Sequence, residues 1–408
     1  MSNCNRQKPA TTPARAEATA RFKLSMVVAV TAATLIGAQA EAAPTTEEKL
    51  EILTQEVEQL KKELAKTPER PAGGMAPHGH GWHGQTGQTT VGGYGELHYN
   101  SLDSKDEIDL HRAILFLGHR FDERISFFSE LEVERAQAGE GKTGGEVSME
   151  QAYLEFALTD NHAARAGLLL VPAGILNEIH EPPTFYGVER NPVETNIIPT
   201  TWREPGAALA GRIGQSLGYD LMLSSGLKVV TTGASAYKVR DGRQSGRQAD
   251  ANNAAITARL KWTGAAGTEF AATVQRQSDV TQGTVANSVA GEATLWEAHA
   301  ALVRGPFGLR ALYARWNLDG TEPKALGRDE QTGWYVEPSF KLTPKFGVFA
   351  RFNEWDNEAG NATDSEKKQT DVGFNYWPHE NVVVKFDIQR QSGTANDDGF
   401  NLGIGYMF

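Results

Sequence analysis

The last nine residues, FNLGIGYMF, place Phe400, Leu402, Ile404, Tyr406 and Phe408 on one side of an extended chain and Asn401, Gly403, Gly405 and Met407 on the other. A period of two belongs to a strand. A strand that is apolar on one face, small or polar on the other, and closed by an aromatic is built to cross a bilayer within a barrel. Left unpaired, its edge and apolar face would invite aggregation, and a barrel removes that edge by pairing its last strand with its first. Tyr406 and Phe408 are expected to carry the signal that the barrel-assembly machinery reads.

The same alternation recurs from residue 89 to 408 in about sixteen segments of roughly ten residues separated by turns. These segments include 126–136, 146–158, 163–173 and 207–213. The expected fold is all-β: a transmembrane antiparallel barrel of about sixteen strands behind an amino-terminal coiled-coil helix. Mean hydropathy is −0.42, low for a chain in a membrane. The barrel resolves this, because only alternate residues meet lipid and a crossing needs about nine to eleven of them.

The amino terminus reads as an export leader. Arg15, Arg21 and Lys23 precede the apolar stretch 24–38, and Ala38-Gln39-Ala40 matches a signal-peptidase site, so cleavage after Ala40 is expected and 1–40 is the signal peptide. The stretch is too short to span a bilayer as a helix. Cleavage removes Cys4, the single cysteine, so the mature chain has no disulfide within itself. The formal charge of −11 becomes more negative once the basic leader is gone, which argues against a nucleic-acid partner.

Within 41–70, Leu50, Leu53, Val57, Leu60 and Leu64 follow a/d heptad spacing with Glu and Lys between them, the pattern of a short coiled coil. So few heptads are marginal alone, so the helix is expected to associate when barrels assemble, with a trimer favoured. Pro68 and Pro71 end it, and 71–88 is a Gly/His-rich tether. His78, His80 and His83 have no Cys or carboxylate beside them, and no metal or cofactor is assigned.

Tight connections are expected at Asp122-Glu123, Asp160-Asn161, Gly305-Pro306, Pro344-Lys345 and Pro378-His379, with longer polar loops between. Short turns on one rim and long loops on the other are the habit of outer-membrane barrels. The third long loop, 174–205, is rich in proline and aromatics and is expected to fold inward. Val382, Val384, Phe386 and Ile388 alternate with Val383, Lys385, Asp387 and Gln389. Likewise Trp334, Val336, Pro338 and Phe340 oppose Tyr335, Glu337, Ser339 and Lys341, while Ile256, Ala258, Leu260 and Trp262 oppose Thr257, Arg259 and Lys261. A lipid-facing charge costs about 2 to 4 kcal/mol near mid-bilayer, so the polar rows must face a water-filled lumen. Trp262, Trp296, Trp334, Tyr376 and Trp377 are expected in the interfacial girdles. Sixteen strands leave an aqueous channel, and passive passage of small hydrophilic solutes or ions is the expected function.

The segments GGYGELHYN, HRAILFLGHRFDERISFFSELEVERA, MEQAYLEF, EPPTFYGVERNPVETNIIPTTWREPG and GWYVEPSFKLT followed by GVFARFNEWDN resemble the phosphate-selective porin O/P family of the trimeric porin superfamily. The resemblance covers most of 89–408 and implies an outer-membrane location, contact with the bilayer and lipopolysaccharide, and a homotrimer. It also implies a third loop that narrows the pore, which here carries over to Glu189, Arg190, Arg203 and Glu204. The family name implies anion selectivity through basic lining residues. Candidates for the lining are Arg112, Arg120, Arg165, Arg259, Lys261, Arg351 and Lys385, together with Lys341, Glu337 and Asp387. This chain departs from a purely basic lining, because its third strand sets Glu130, Glu132 and Glu134 on one face, so the two signs imply a transverse field.

The chain carries no H-E-x-x-H or P-loop sequence. The competing readings are a barrel enzyme using Ser148 with His111 or His162, and a plugged barrel serving as a structural tether.

Overall fold

A computed structural model describes residues 87–136, 145–283 and 291–408. The expected leader and coiled coil, and all but the end of the tether, lie outside the described residues. The first eight strands are β1 (Thr89–Leu102), β2 (Lys105–Arg120), β3 (Ile125–Glu134), β4 (Val147–Thr159), β5 (His162–Leu170), β6 (Arg203–Ile213), β7 (Leu217–Ser224) and β8 (Ala255–Trp262). The rest are β9 (Thr268–Gln277), β10 (Ala293–Arg304), β11 (Phe307–Leu318), β12 (Glu330–Thr343), β13 (Phe346–Asp356), β14 (Lys367–His379), β15 (Val382–Gly393) and β16 (Gly399–Met407). Each strand pairs antiparallel with its sequence neighbours, and β16 closes on β1 with Tyr94 opposite Met407 and Leu102 opposite Gly399. The alternating carboxyl-terminal segment is therefore the closing strand.

The faces separate as the period of two requires. Along β8, Ile256, Leu260 and Trp262 are exposed on the outer wall while Thr257 and Arg259 are buried inside. In β16, Phe400, Leu402, Ile404 and Tyr406 face outward, and Asn401, Gly403 and Gly405 are buried.

Three expectations need correction. First, β6 begins at Arg203, so Arg203 and Glu204 belong to the wall rather than to the third long loop. They pair with Leu170 and Leu169 of β5, and Pro205 continues the register opposite Leu168. A proline read as a loop residue is here an extended strand residue whose fixed φ suits the pairing. Second, β14 runs through Pro378 to His379, so the tight turn falls at 380–381. The ladder slips between Tyr376 and His379, and Trp377 turns inward, donating from Nε1 to the Pro183 carbonyl at 3.1 Å instead of joining the girdle. Third, the inner face is not uniformly polar. Tyr94, Phe116, Phe128 and Tyr153 form a buried chain of rings with centroids 5.6, 5.9 and 5.6 Å apart. They share one apolar core with Val171, Leu176, Val193, Ile197 and Trp202 of the third long loop. The loop supplies the apolar partner that lumen water does not, so these aromatics are tolerated inside.

Two β-bulges sit on this wall. His111 is skipped between Leu110 and Arg112 in the pairing of β2 with β1, and Glu150 is skipped between Met149 and Gln151 in the pairing of β4 with β3. An extra residue in one strand re-aims its side chain.

Candidate pore constriction

The third long loop, 171–202, leaves β5, crosses the lumen and returns to β6. Nearly all of it is buried, and Ile179 at 37% is its most exposed apolar residue. A clip closes its base: Asn177 Nδ2 donates to the carbonyls of Val171 and Trp202 at 2.8 and 3.1 Å, and Trp202 N donates to Asn177 Oδ1 at 2.6 Å. Glu194 organises the middle from the short helix α1 (Val193–Asn196). Its Oε2 accepts the backbone N–H of Ile175 and Leu176 at 2.9 and 2.6 Å, and its Oε1 accepts Tyr335 Oη at 2.8 Å.

The wall from β12 to β16 holds the loop by its backbone. Asn375 donates to the Phe185 carbonyl, Arg351 to that of Tyr186 and Lys385 to that of Gly187, at 2.9, 3.3 and 2.8 Å. Asp387 Oδ2 accepts the Val188 N–H at 2.7 Å. Glycines make the bed: a Cβ on Gly405 would overlap Pro182, one on Gly347 the Tyr186 hydroxyl, and one on Gly333 would lie 2.9 Å from Ile197.

The wall from β1 to β4 holds the loop by charged side chains. Glu189 Oε1 lies 2.9 Å from His98 Nδ1 and 3.0 Å from Asn100 Nδ2. Burial opposes ionisation of Glu189, but the His98 imidazole outweighs it and holds the carboxyl down at about 2. His180 Nε2 lies 3.3 Å from Glu150, and Arg112 Nη2 donates to the His180 carbonyl at 3.0 Å.

Positive charge collects where the loop meets the next one. Arg190 of the loop and Arg203 of β6 sit with Arg240 and Arg243, which reach in from residues 225–254. Arg240 Nε donates to the Thr195 carbonyl at 2.9 Å, and Arg243 Nη1 donates to the Thr200 carbonyl. Among the described residues Arg190, Arg203 and Arg243 have no ion pair, and Arg190 Nη2 and Arg203 Nε are buried without a hydrogen-bond partner. Burial, then the repulsion of Arg240, Arg203 and Arg190, pushes the Arg243 guanidinium down to about 10. Burial and Arg112 likewise lower that of Arg190.

The other expected lining residues sort by partner. Arg112 pairs with Glu96 at 2.6 Å, Arg165 with Glu155 at 2.7 Å, and Arg259 with both Glu178 and Asp220. Arg351 lies between Glu337 at 3.3 Å and Asp371 at 3.1 Å. Glu130 accepts from Gln151, Glu132 from Ser148, and Glu204 from Ser225 and the Gln244 backbone. Lys261 pairs with Glu269 at 3.4 Å, and Glu134 is half-buried at the end of β3. Arg120 and Lys341 sit at the short-turn rim, Arg120 on the carbonyls of Asp122 and Glu123 and Lys341 over the Trp377 ring. A small cavity remains beside the loop, lined by Gln151, Tyr153, Arg165, Glu178, Asp220 and Met222.

Sequence reading missed Glu150, His180, Glu96, His98, Arg240 and Arg243. Glu150 breaks the alternation that would have marked it, Glu96 and His98 stand at alternate inward positions of β1, and His180, Arg240 and Arg243 meet their partners only through loop packing. The serine pairing weighed above does not form: Ser148 donates to Glu132 and accepts from Arg203, His162 contacts Tyr219 at 2.9 Å, and His111 stacks on His98 at 4.6 Å.

A closed sixteen-stranded antiparallel barrel with an apolar outer wall and its third long loop folded into the lumen defines an outer-membrane porin. The family model for phosphate-selective porin O and P matches residues 209–397. An uncharacterised protein of Aquifex aeolicus (strain VF5) is 31% identical over 352 residues, spanning 78% of this chain and 80% of that protein. The anion-selective porin from Comamonas acidovorans is similar in fold with a TM-score of 0.55 and 12% identity, covering 79% of this chain and 99% of that one. The outer-membrane channel DcaP of Acinetobacter baumannii gives 0.53 and 14%, covering 79% and 98%. The trimer form of OmpT from Vibrio cholerae gives 0.54 and 12%, covering 79% and all of that chain, 100%. The chain belongs to the phosphate-selective porin O and P family, and it is an outer-membrane channel.

Proposed function

We propose that the barrel passes small hydrophilic anions by passive diffusion, with the third long loop setting size and Arg190, Arg203 and Arg243 setting sign. The observation that carries this reading is the arginine cluster at the inner edge of the loop, where two buried guanidinium nitrogens have no partner among the described residues. An unneutralised cation row in a narrow, low-dielectric passage lowers the energy of an anion and raises that of a cation. The acidic residues Glu130, Glu132 and Glu150 stand beside it, with Ser148 bridging Arg203 and Glu132, so the lining is mixed in sign rather than uniformly positive. Single-channel recording of the purified protein under a salt gradient tests this: the reversal potential should have the anion sign and move toward zero in R190A/R203A/R243A. A cation sign in the parent protein would sink the reading, and absent conductance would favour a plugged tether.

The same reading takes 1–40 as the export leader and 41–70 as a coiled coil, followed by the tether 71–88 and by the barrel 89–408, which contacts lipopolysaccharide and is delivered by the barrel-assembly machinery. The trimer form known for OmpT supports a homotrimer here. Crosslinking should stop at three chains, and deleting 41–70 should weaken the ladder; a ladder ending at two would exclude a trimer.

A further inference from the structure

Glu130 on β3, Glu150 at the β4 bulge and His180 on the third long loop bring one ligand atom each to within 4.8 Å of one another, and all three are buried. His180 Nε2 stands 3.3 Å from Glu150 Oε2 and 3.8 Å from Glu130 Oε1. The other ring nitrogen, Nδ1, lies 3.2 Å from the Asn177 carbonyl, which can only accept. Nδ1 therefore carries a proton, and Nε2 is the nitrogen that faces the two carboxylates.

Outer partners fix these groups as they do around bound metals. Gln151 Nε2 donates to the second oxygen of Glu130 at 2.7 Å, leaving Oε1 for the cluster. An independent observation points to the same place. The Tyr94 hydroxyl is buried, with the residue 1% exposed, and has no hydrogen-bond partner among the described residues. Its ring stands edge-on to that of His180 at 6.0 Å, with the Arg112 guanidinium 4.9 Å from the ring centre.

We propose that Glu130, Glu150 and His180 bind a divalent transition cation of the zinc class, with Tyr94 as a further oxygen donor, and that the ion fastens the third long loop to β3 and β4. Two carboxylates balance a divalent charge, and an imidazole among few ligands suits zinc better than calcium or magnesium, which ask for more oxygens. Of the nearby cations Arg112 is already neutralised by Glu96, which leaves Arg190 as the opposing charge. The site does not depend on the sign of the channel's selectivity.

The test uses full-length protein with His78, His80 and His83 changed to alanine, stripped with chelator and checked for heat-modifiable folding. Titration with Zn²⁺ should show one ion per chain, and Co²⁺ should give the visible bands of a low-coordinate site containing nitrogen. H180A and E150Q should each abolish uptake, and Q151L should weaken it about 10- to 100-fold. Adding Zn²⁺ should also slow proteolysis of the loop. No uptake by the folded parent, or uptake unchanged in H180A and E150Q, would overturn the proposal and leave an imidazolium between two carboxylates. Should the variants fail to fold, the Co²⁺ spectrum of the parent decides: a site lacking nitrogen counts against His180.

Discussion

The two walls that grip the third long loop do so by different chemistry. From β12 to β16 the contacts go to the loop's backbone: Asn375, Arg351 and Lys385 cap its carbonyls, Asp387 takes an N–H, and glycines let it lie close. From β1 to β4 the contacts join ionisable side chains, Glu189 with His98 and His180 with Glu130 and Glu150. Backbone capping satisfies groups that would otherwise be buried bare, and it does so whatever side chains the loop carries. Charged pairing depends on protonation, salt and bound ions. The first wall is thus a fixed mount and the second an adjustable one, and the arginine cluster sits between them.

The largest effect is expected on the fixed side, at Glu194, which binds two loop N–H groups and Tyr335. E194A orphans several buried groups at about 1–3 kcal/mol each. Trypsin should then cut within 171–202 and single-channel conductance should rise; a protected loop with unchanged conductance would show that the mount does not rely on Glu194. Next comes G405L, which drives a side chain into Pro182. Overpacking of this kind costs about 1–3 kcal/mol. Conductance should rise again while the barrel stays heat-modifiable, and an unaltered loop would mean that Pro182 yields easily. The smallest effect concerns the adjustable side. The Glu189 carboxyl is held below its ordinary 4.5 at about 2, so its contact with His98 contributes fully above 4.5 and fades as pH falls toward 2. Conductance should shift across that acid window in the parent and less so in E189Q. Identical pH profiles for the two would remove Glu189 from the adjustable side.

Much of the barrel was legible before any coordinates. Alternation is a local property: each residue's side follows from its neighbour's, and a charge on the lipid face is costly enough to make the assignment firm. Hence Thr257, Arg259, Glu337, Lys385 and Asp387 point inward as read, and β16 closes on β1. The readings that failed are places where local rules lose to pairing. Pro205 resembles a loop residue but continues β6, and the slip in β14 turns Trp377 away from the membrane interface. The site was half legible. Glu189 and Arg190 do lie in the inward loop, and Arg203 and Glu204 flank it from the wall. Which charges remain unpaired was hidden, because Arg112, Arg259 and Arg351 find partners only in three dimensions.

By itself the sequence determined the strand period, the strand count and the sign of each face, since all three depend on residues a few positions apart. The tertiary structure alone decided the loop's path and the meeting of Glu130, Glu150 and His180. It likewise decided why Gly403 and Gly405 are small, with Val188 and Pro182 seated against them. Those facts rest on contacts between segments far apart in the chain. Loop closure and burial select such contacts from many sterically possible ones, and no local pattern records the choice.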